Sequence, residues 1–218
     1  MYLFGFGDES ARLMAERTAE RLIKEYYRDG RLYHKEGVEG FSEDYVFFSQ
    51  ALLSLFEITQ KKEYLDLASE LMKKAIDLFW DDQDWGFYDS ALEGEGLLRV
   101  RLKNLQDTPT QSVNGSAGYT LLLLGTLTGD GSFIDYAEKT LQAFSRFVRE
   151  VPMASHSYLI SLYAYLKGIY KVETESFFEE ALRLFRPFKF VVKAPVEGLV
   201  VCEGQSCRKF ENLNQILK

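Results

Sequence analysis

The chain has 218 residues, 46% of them hydrophobic and including 17 Phe and 13 Tyr, enough for a large core in one main body. Its net charge of -7 comes from interspersed signs and argues against a nucleic-acid surface. The uncharged stretch 108–129 is too polar in its first half to span a membrane, and residues 1–7 lack the basic start of a secretory leader, so a cytoplasmic address is expected.

From the N-terminus, Ala15, Ala19, Leu22 and Tyr26 make one apolar stripe at helical spacing and predict a helix over 9–28. That stripe matches Ala68, Met72, Ala75 and Phe79 at an offset of 53, so it reads as the second helix of a hairpin whose first helix is missing or displaced. Residues 42–59 and 63–80 predict one helical hairpin, and 112–128 and 132–150 another. These two align without a gap at an offset of 69: Leu52, Leu53, Leu55 and Thr59 return as Leu121, Leu122, Leu124 and Thr128. In the second helices Tyr64, Asp66, Ala68 and Met72 return as Phe133, Asp135, Ala137 and Leu141. Residues 155–170 and 174–186 predict a last helical pair, with Pro152 before it and Pro187 after it. Phe188–Val192 and Leu199–Cys202, around a Pro195–Gly198 turn, predict a small β-hairpin, and 209–217 a short terminal helix. The organisation is therefore a helical-hairpin body over 1–187 with a small unit, 188–218, packed on it.

The connections fall into two kinds. Those at 59–62 and 128–131 are short and lie within hairpins; those at 29–41, 81–111 and 151–154 join hairpins, and two of them are long. An up-down array gathers each kind at one end, and long loops on a rigid scaffold are where a site belongs. In the longest loop, Trp85–Ser90 and Leu97–Leu102 alternate around residues 93–96 and predict a β-hairpin arm. Cys202 and Cys207 are spaced C-x4-C, not the redox C-x-x-C, and two ligands with no His nearby cannot close a structural zinc site. Two reduced thiols flanking a turn are expected, with a local disulfide as the alternative.

Several motifs now line up. They are Gly30 through His34, Gly40 through Tyr45, Leu78 through Asp81, Gly86 through Asp89, Leu98 through Arg101, Asp107 through Asn114, and Val200 through Cys207. In this order they resemble the C-terminal portion of the thioredoxin-domain-containing, spermatogenesis-associated protein family, over most of residues 10–207. The resemblance implies an all-α fold, a partial α/α toroid of helical hairpins related to six-hairpin glycosidases and sugar epimerases, here with a small C-terminal β-hairpin. It also implies that the thioredoxin-like domain and the first part of the toroid are absent. The family's Pro-Ser-x-Asn-Ser segment reads Gln111-Ser-Val-Asn-Gly115 in this chain.

The candidate chemistry has a plainer structural counterpart at every position. Glu43 and Asp44 open an inner helix, where carboxylates also suit the helix dipole and cap amides. As catalytic groups they would serve with Asp107 and His34, because glycoside hydrolysis takes two carboxylates across the bond and adjacent residues on a helix diverge. Asp81, Asp89 or Asp107 would supply the second. Ser112 or Asn114 suits an N-cap, or Asn114 binds a ligand at the mouth beside Tyr45, its repeat counterpart. Trp80, Trp85 and Tyr88 are loop anchors or stacking platforms for sugar, with Asp81 beside them. His34 and His156 are solvated or satisfied imidazoles, or the acid and base that the epimerase likeness implies. On this reading His34, Glu43, Asp44, Trp80, Asp107 and Asn114 share one concave surface. The function expected is binding or processing of a carbohydrate at a loop-built mouth, without cofactor or metal. The alternative is a non-catalytic assembly module that pairs with a missing toroid half or a thioredoxin-like partner. The open apolar stripe of the first helix predicts a homodimer or a separately encoded partner chain, with no nucleic-acid or membrane partner.

Overall fold

The computed structural model describes residues 8–91, 101–204 and 206–216. The apolar residues Tyr2, Leu3, Phe4 and Phe6, the turn at 93–96 and most of the second arm strand at 97–102 lie outside the described residues. The chain runs as α1 (Glu9–Tyr26), a three-stranded ribbon β1 (Tyr27–Arg28), β2 (Arg31–Lys35) and β3 (Val38–Glu39), then α2 (Ser42–Thr59), α3 (Lys62–Phe79), α4 (Val113–Thr128), α5 (Gly131–Glu150) and α6 (His156–Lys167). The C-terminal part holds β4 (Tyr170–Glu173), α7 (Phe178–Arg183), β5 (Lys189–Val192), β6 (Leu199–Glu203) and β7 (Ser206–Phe210).

The repeat is a packing repeat. Leu52, Leu53 and Leu55 and their counterparts Leu121, Leu122 and Leu124 are all buried, as are Ala68 and Ala137. The turns repeat too. The Thr59 and Thr128 hydroxyls each donate to the carbonyl four residues back and accept from the amide two residues on. The next residue in each copy, Gln60 or Gly129, takes the left-handed conformation that ends the helix. α2, α4 and α6 pack side by side as an inner layer, with α3 and α5 outside them, giving a partial α/α toroid. The α4–α6 contact is close because its residues are small. A Cβ on Gly115 would fall 2.1 Å from the Ser157 hydroxyl and 2.6 Å from the Tyr158 amide nitrogen.

The chain after α6 departs from the expected helical pair. Gly168 ends α6 and residues 170–173 form a strand with Val172 buried, because the β-type side chains of Tyr170 and Val172 alternate with Lys171 and Glu173. Only 178–183 is helical, crossing between the parallel strands β4 and β5. The expected β-hairpin strands exist, but they do not pair with each other. The sheet order is β5-β4-β6-β7, and β4 separates them. Residues 209–210 end β7, and the terminal helix shrinks to a 3-10 turn at Leu213–Gln215. Cys202 and Cys207 sit directly opposite across β6 and β7 and are disulfide-bonded, so the expectation of two reduced thiols is replaced by its alternative.

This sheet sits against the short-loop end of the inner layer. Strand β5 would be an open edge, but α2 satisfies it. The Val191 amide donates to Glu57 Oε1 (2.9 Å), Gln60 Nε2 donates to the Val191 carbonyl (3.2 Å), and the Lys193 amide donates to Gln60 Oε1 (2.7 Å). Phe190 stacks on Phe56 of α2. The inner layer is thus floored at one end by the sheet, while the long connections gather at the other.

Candidate functional site

The residues singled out from the sequence fall into three groups. In the first, His34 on β2 lies 3.1 Å through Nδ1 from both carboxylate oxygens of Asp44, which also accepts the Phe41 amide at 2.8 Å. Asp44 therefore caps α2 and holds the imidazole. Glu43 is exposed beside them, and all three line a groove of about 660 Å³ between α1 and α2. Tyr45 points the other way: it is buried, and its hydroxyl accepts the Leu32 amide at 2.9 Å.

The second group ties the long loop to the body. Asn114 is fully buried, and its side-chain amide acts as a strand partner for Phe87. Oδ1 accepts the Phe87 amide (2.7 Å), while Nδ2 donates to the Phe87 and Asn104 carbonyls (2.9 and 3.1 Å). Trp80 meets Phe87 and Tyr136 edge-on, so its ring is engaged within the chain. Asp81 accepts from Lys103 Nζ (2.6 Å) and the Tyr88 hydroxyl (2.7 Å), and these bonds, the lysine's first, hold its carboxyl far below the usual range. The Trp85 carbonyl accepts from the same ammonium at 2.7 Å. Arg101 stacks 4.0 Å over the Tyr88 ring.

The third group joins α4 to α6. Asp107 Oδ1 accepts the Ser112 amide (2.7 Å) and the Ser157 hydroxyl (2.5 Å), and Oδ2 accepts the Ser157 amide (2.8 Å). It serves as the cap that α6 takes from outside its own sequence, since Ser155 makes no side-chain cap bond. Burial works against its charge, but the bonds from Ser157 and Ser112 outweigh it and leave the carboxyl below its ordinary value. The exposed His156 lies 3.7 Å from Asp107 Oδ2. The six residues expected on one surface are thus divided between the α1–α2 groove, the loop anchor and the α4–α6 junction.

A different set of residues forms the concave face of the inner layer. Gln50, Ser54 and Glu57 of α2, Ser116, Tyr119 and Leu123 of α4, and Ser157 and Ile160 of α6 line a cavity of about 220 Å³. Gln111 stands at its long-loop end, and Lys189 and Phe190 of the sheet form its floor. Gln50 Nε2 bridges to the Ser116 carbonyl at 3.1 Å. Burial raises the Glu57 carboxyl above its ordinary value, against the pull of the Val191 amide and of Lys189. Lys189 donates to the carbonyls of Ala181, Leu182 and Leu184 at the end of α7, and burial lowers its ammonium. Thr110 lines the groove and its neighbour Gln111 lines the lumen, so one short segment divides the two spaces. The signal that would have found the lumen is a polar stripe of α2, Gln50, Ser54 and Glu57, at i, i+4 and i+7. The repeat pairs Gln50 with Tyr119. Among the described residues no His, Cys, Asp and Glu cluster suits a metal ion, and no helix is long and apolar enough to cross a membrane.

The class of protein defined by this geometry is an α/α hairpin array with a walled lumen. No protein-family model matches the sequence. The chain is 38% identical over 115 residues to spermatogenesis-associated protein 20 of Homo sapiens, covering 53% of this chain and 15% of that protein. It is 29% identical over 131 residues to uncharacterized protein B0495.5 of Caenorhabditis elegans, covering 60% of this chain and 18% of that protein. The human relative carries the name of the family that the ordered loop motifs resemble. The chain spans less than a fifth of the length of these curated relatives. A solved structure named for UGL with dGlcA-Glc-Rha-Glc is similar at 20% identity and a TM-score of 0.46, covering 64% of this chain and 40% of that one.

Proposed function

We propose that this chain is a carbohydrate-binding module whose lumen takes one sugar ring or a molecule of similar size and hydroxyl density. The observation that carries this reading is the lining of the 220 Å³ cavity, where amide and hydroxyl side chains stand beside the Tyr119 and Phe190 rings. Gln50, Gln111, Ser54 and Ser116 are neutral groups that both donate and accept, as a ring of hydroxyls requires. Aromatic faces suit the apolar face of a pyranose, and a few placed polar groups in a concave site fix its orientation. Binding is favoured over hydrolysis. Glu57 is the one carboxylate among the described lining residues, whereas cleavage of a glycosidic bond takes two. Asp107 stands near the mouth through Ser157, but its oxygens are engaged in holding α4 and α6 together.

The test is saturation-transfer NMR of the chain with glucose, galactose, mannose, rhamnose and glucuronic acid in turn. At least one is expected to receive saturation, with affinity falling tenfold or more in Gln50→Ala and in Tyr119→Ala. Absence of transfer to all five, or binding that both substitutions leave intact, would overturn the reading.

A further inference from the structure

We propose that the outer face of the C-terminal sheet holds a binding site for a small organic oxoanion, a phosphate monoester or a carboxylate. The site follows from the register of the strands. Phe190 of β5, which stacks on α2 of the inner layer, is in register with Lys171, Cys202 and Cys207. Side chains alternate along a strand, so Tyr170, Glu203, Ser206 and Arg208 stand on the face turned away from the helical layers. α7 covers only part of that face, where Phe178 and Ala181 pack with Val172, Val191, Leu199 and Val201. The rest is a cavity of about 560 Å³, within the size range of small-molecule sites. Arg186, just past α7, and Gln215 of the terminal 3-10 turn also line it.

The polar side chains around this cavity are mostly donors. Among the described residues no carboxylate pairs with Arg186 or Arg208, and the Ser206 hydroxyl has no hydrogen-bond partner. Gln215 accepts the Glu211 amide through Oε1 (2.9 Å), which leaves its NH2 group to donate. Two guanidinium groups, an amide NH2 and a hydroxyl around one space make the donor set of an oxoanion. A guanidinium meets phosphate or carboxylate oxygens through two parallel bonds, with geometry as well as charge. Glu203 is the one carboxylate among the described lining residues. It stands opposite Ser206, whereas Arg208 stands opposite Val201, one pleat repeat along. Two guanidinium groups against one carboxylate leave the lining net positive, and Glu203 supplies an acceptor for a hydroxyl elsewhere on the ligand. The donors are also held in advance. Arg186 stacks 3.5 Å over the Tyr170 ring, and the Cys202–Cys207 disulfide ties β7 to β6 between Ser206 and Arg208. Groups fixed beforehand lose little freedom on binding. This inference is independent of what the lumen binds, since the two cavities share no lining residue.

An amide chemical-shift titration of the whole chain with glycerol 3-phosphate, with glycerate and with glycerol tests it. At least one of the two anions is expected to shift Tyr170, Ser206, Arg208 and Gln215, and glycerol to shift none of them. Tighter binding of glycerol 3-phosphate makes the ligand a phosphate monoester and tighter binding of glycerate a carboxylate; either result supports the site. Arg208→Gln is expected to weaken binding about tenfold, and Arg186→Gln similarly. Arg208 is exposed, so circular dichroism of its variant should be unchanged, and that variant carries the test if Arg186→Gln disturbs the sheet. Lys209→Gln removes the same charge one residue on, from the opposite face of β7, and is expected to leave the affinity as it was. Shifts from neither anion, equal shifts from glycerol, shifts gathered elsewhere, binding that Arg208→Gln leaves intact, or a loss as large in Lys209→Gln would each overturn the proposal.

Discussion

Asn114 shows how a residue chosen for chemistry can turn out to carry architecture. Its amide closes on the Phe87 backbone from both sides, in a site without water access. Asn114→Ala leaves a buried N–H and two carbonyls without those partners, and is expected to cost about 2–3 kcal/mol in urea unfolding. Asp107 gives a pH signature. Its carboxyl is held below the ordinary value in the fold, so its contribution is present above the unfolded-state value and is lost as pH falls through the depressed one. Asp107→Asn is therefore expected to be less stable than the parent near neutrality, with the gap closing on the acid side, as read from thermal melts across pH. A gap that widens on acidification would refute the assignment. At this scale the sequence was legible in part. Acidic residues at helix starts suggested both caps and catalysts, and only the partner atoms distinguish the two roles. The pairings Asn114–Phe87 and Asp107–Ser157 span 27 and 50 residues, and no local pattern encodes them.

Helices were the most legible elements. The inner helix at 42–59 is found at the bounds read from the sequence, and the others of the two hairpins lie within a residue, because burial and turn chemistry repeat together. The last expected pair failed at residues 170–186. Their helical periodicity was weak, and β-type side chains at 169–172 gained more by joining a sheet whose other strands lie up to 40 residues away. The same scale holds a consequence of the Gln111–Gly115 segment. Gly115 lets α4 and α6 approach until the Ser161 hydroxyl donates to the Gly115 carbonyl. A methyl group there would overlap both Ser157 and the Tyr158 backbone. Gly115→Ala is expected to lower stability by roughly 1–3 kcal/mol through overpacking, and to loosen α6 amides in hydrogen exchange. An unchanged melt would mean that the two helices are not packed this closely.

For the whole molecule, the proposed function rests on one arrangement: the inner layer of α2, α4 and α6, floored by the sheet, with the long connections at its other end. The sequence placed the long loops correctly at one end but could not place the floor, since Gln60 and Glu57 reach β5 across more than 130 residues. The most direct measurement is an amide and side-chain chemical-shift map of the chain titrated with whichever saccharide receives saturation most strongly. The account predicts shifts gathered on Gln50, Ser54, Gln111, Ser116 and Tyr119. Shifts gathered instead on His34, Asp44 and Phe47 in the α1–α2 groove, or scattered over the outer helices, would contradict it.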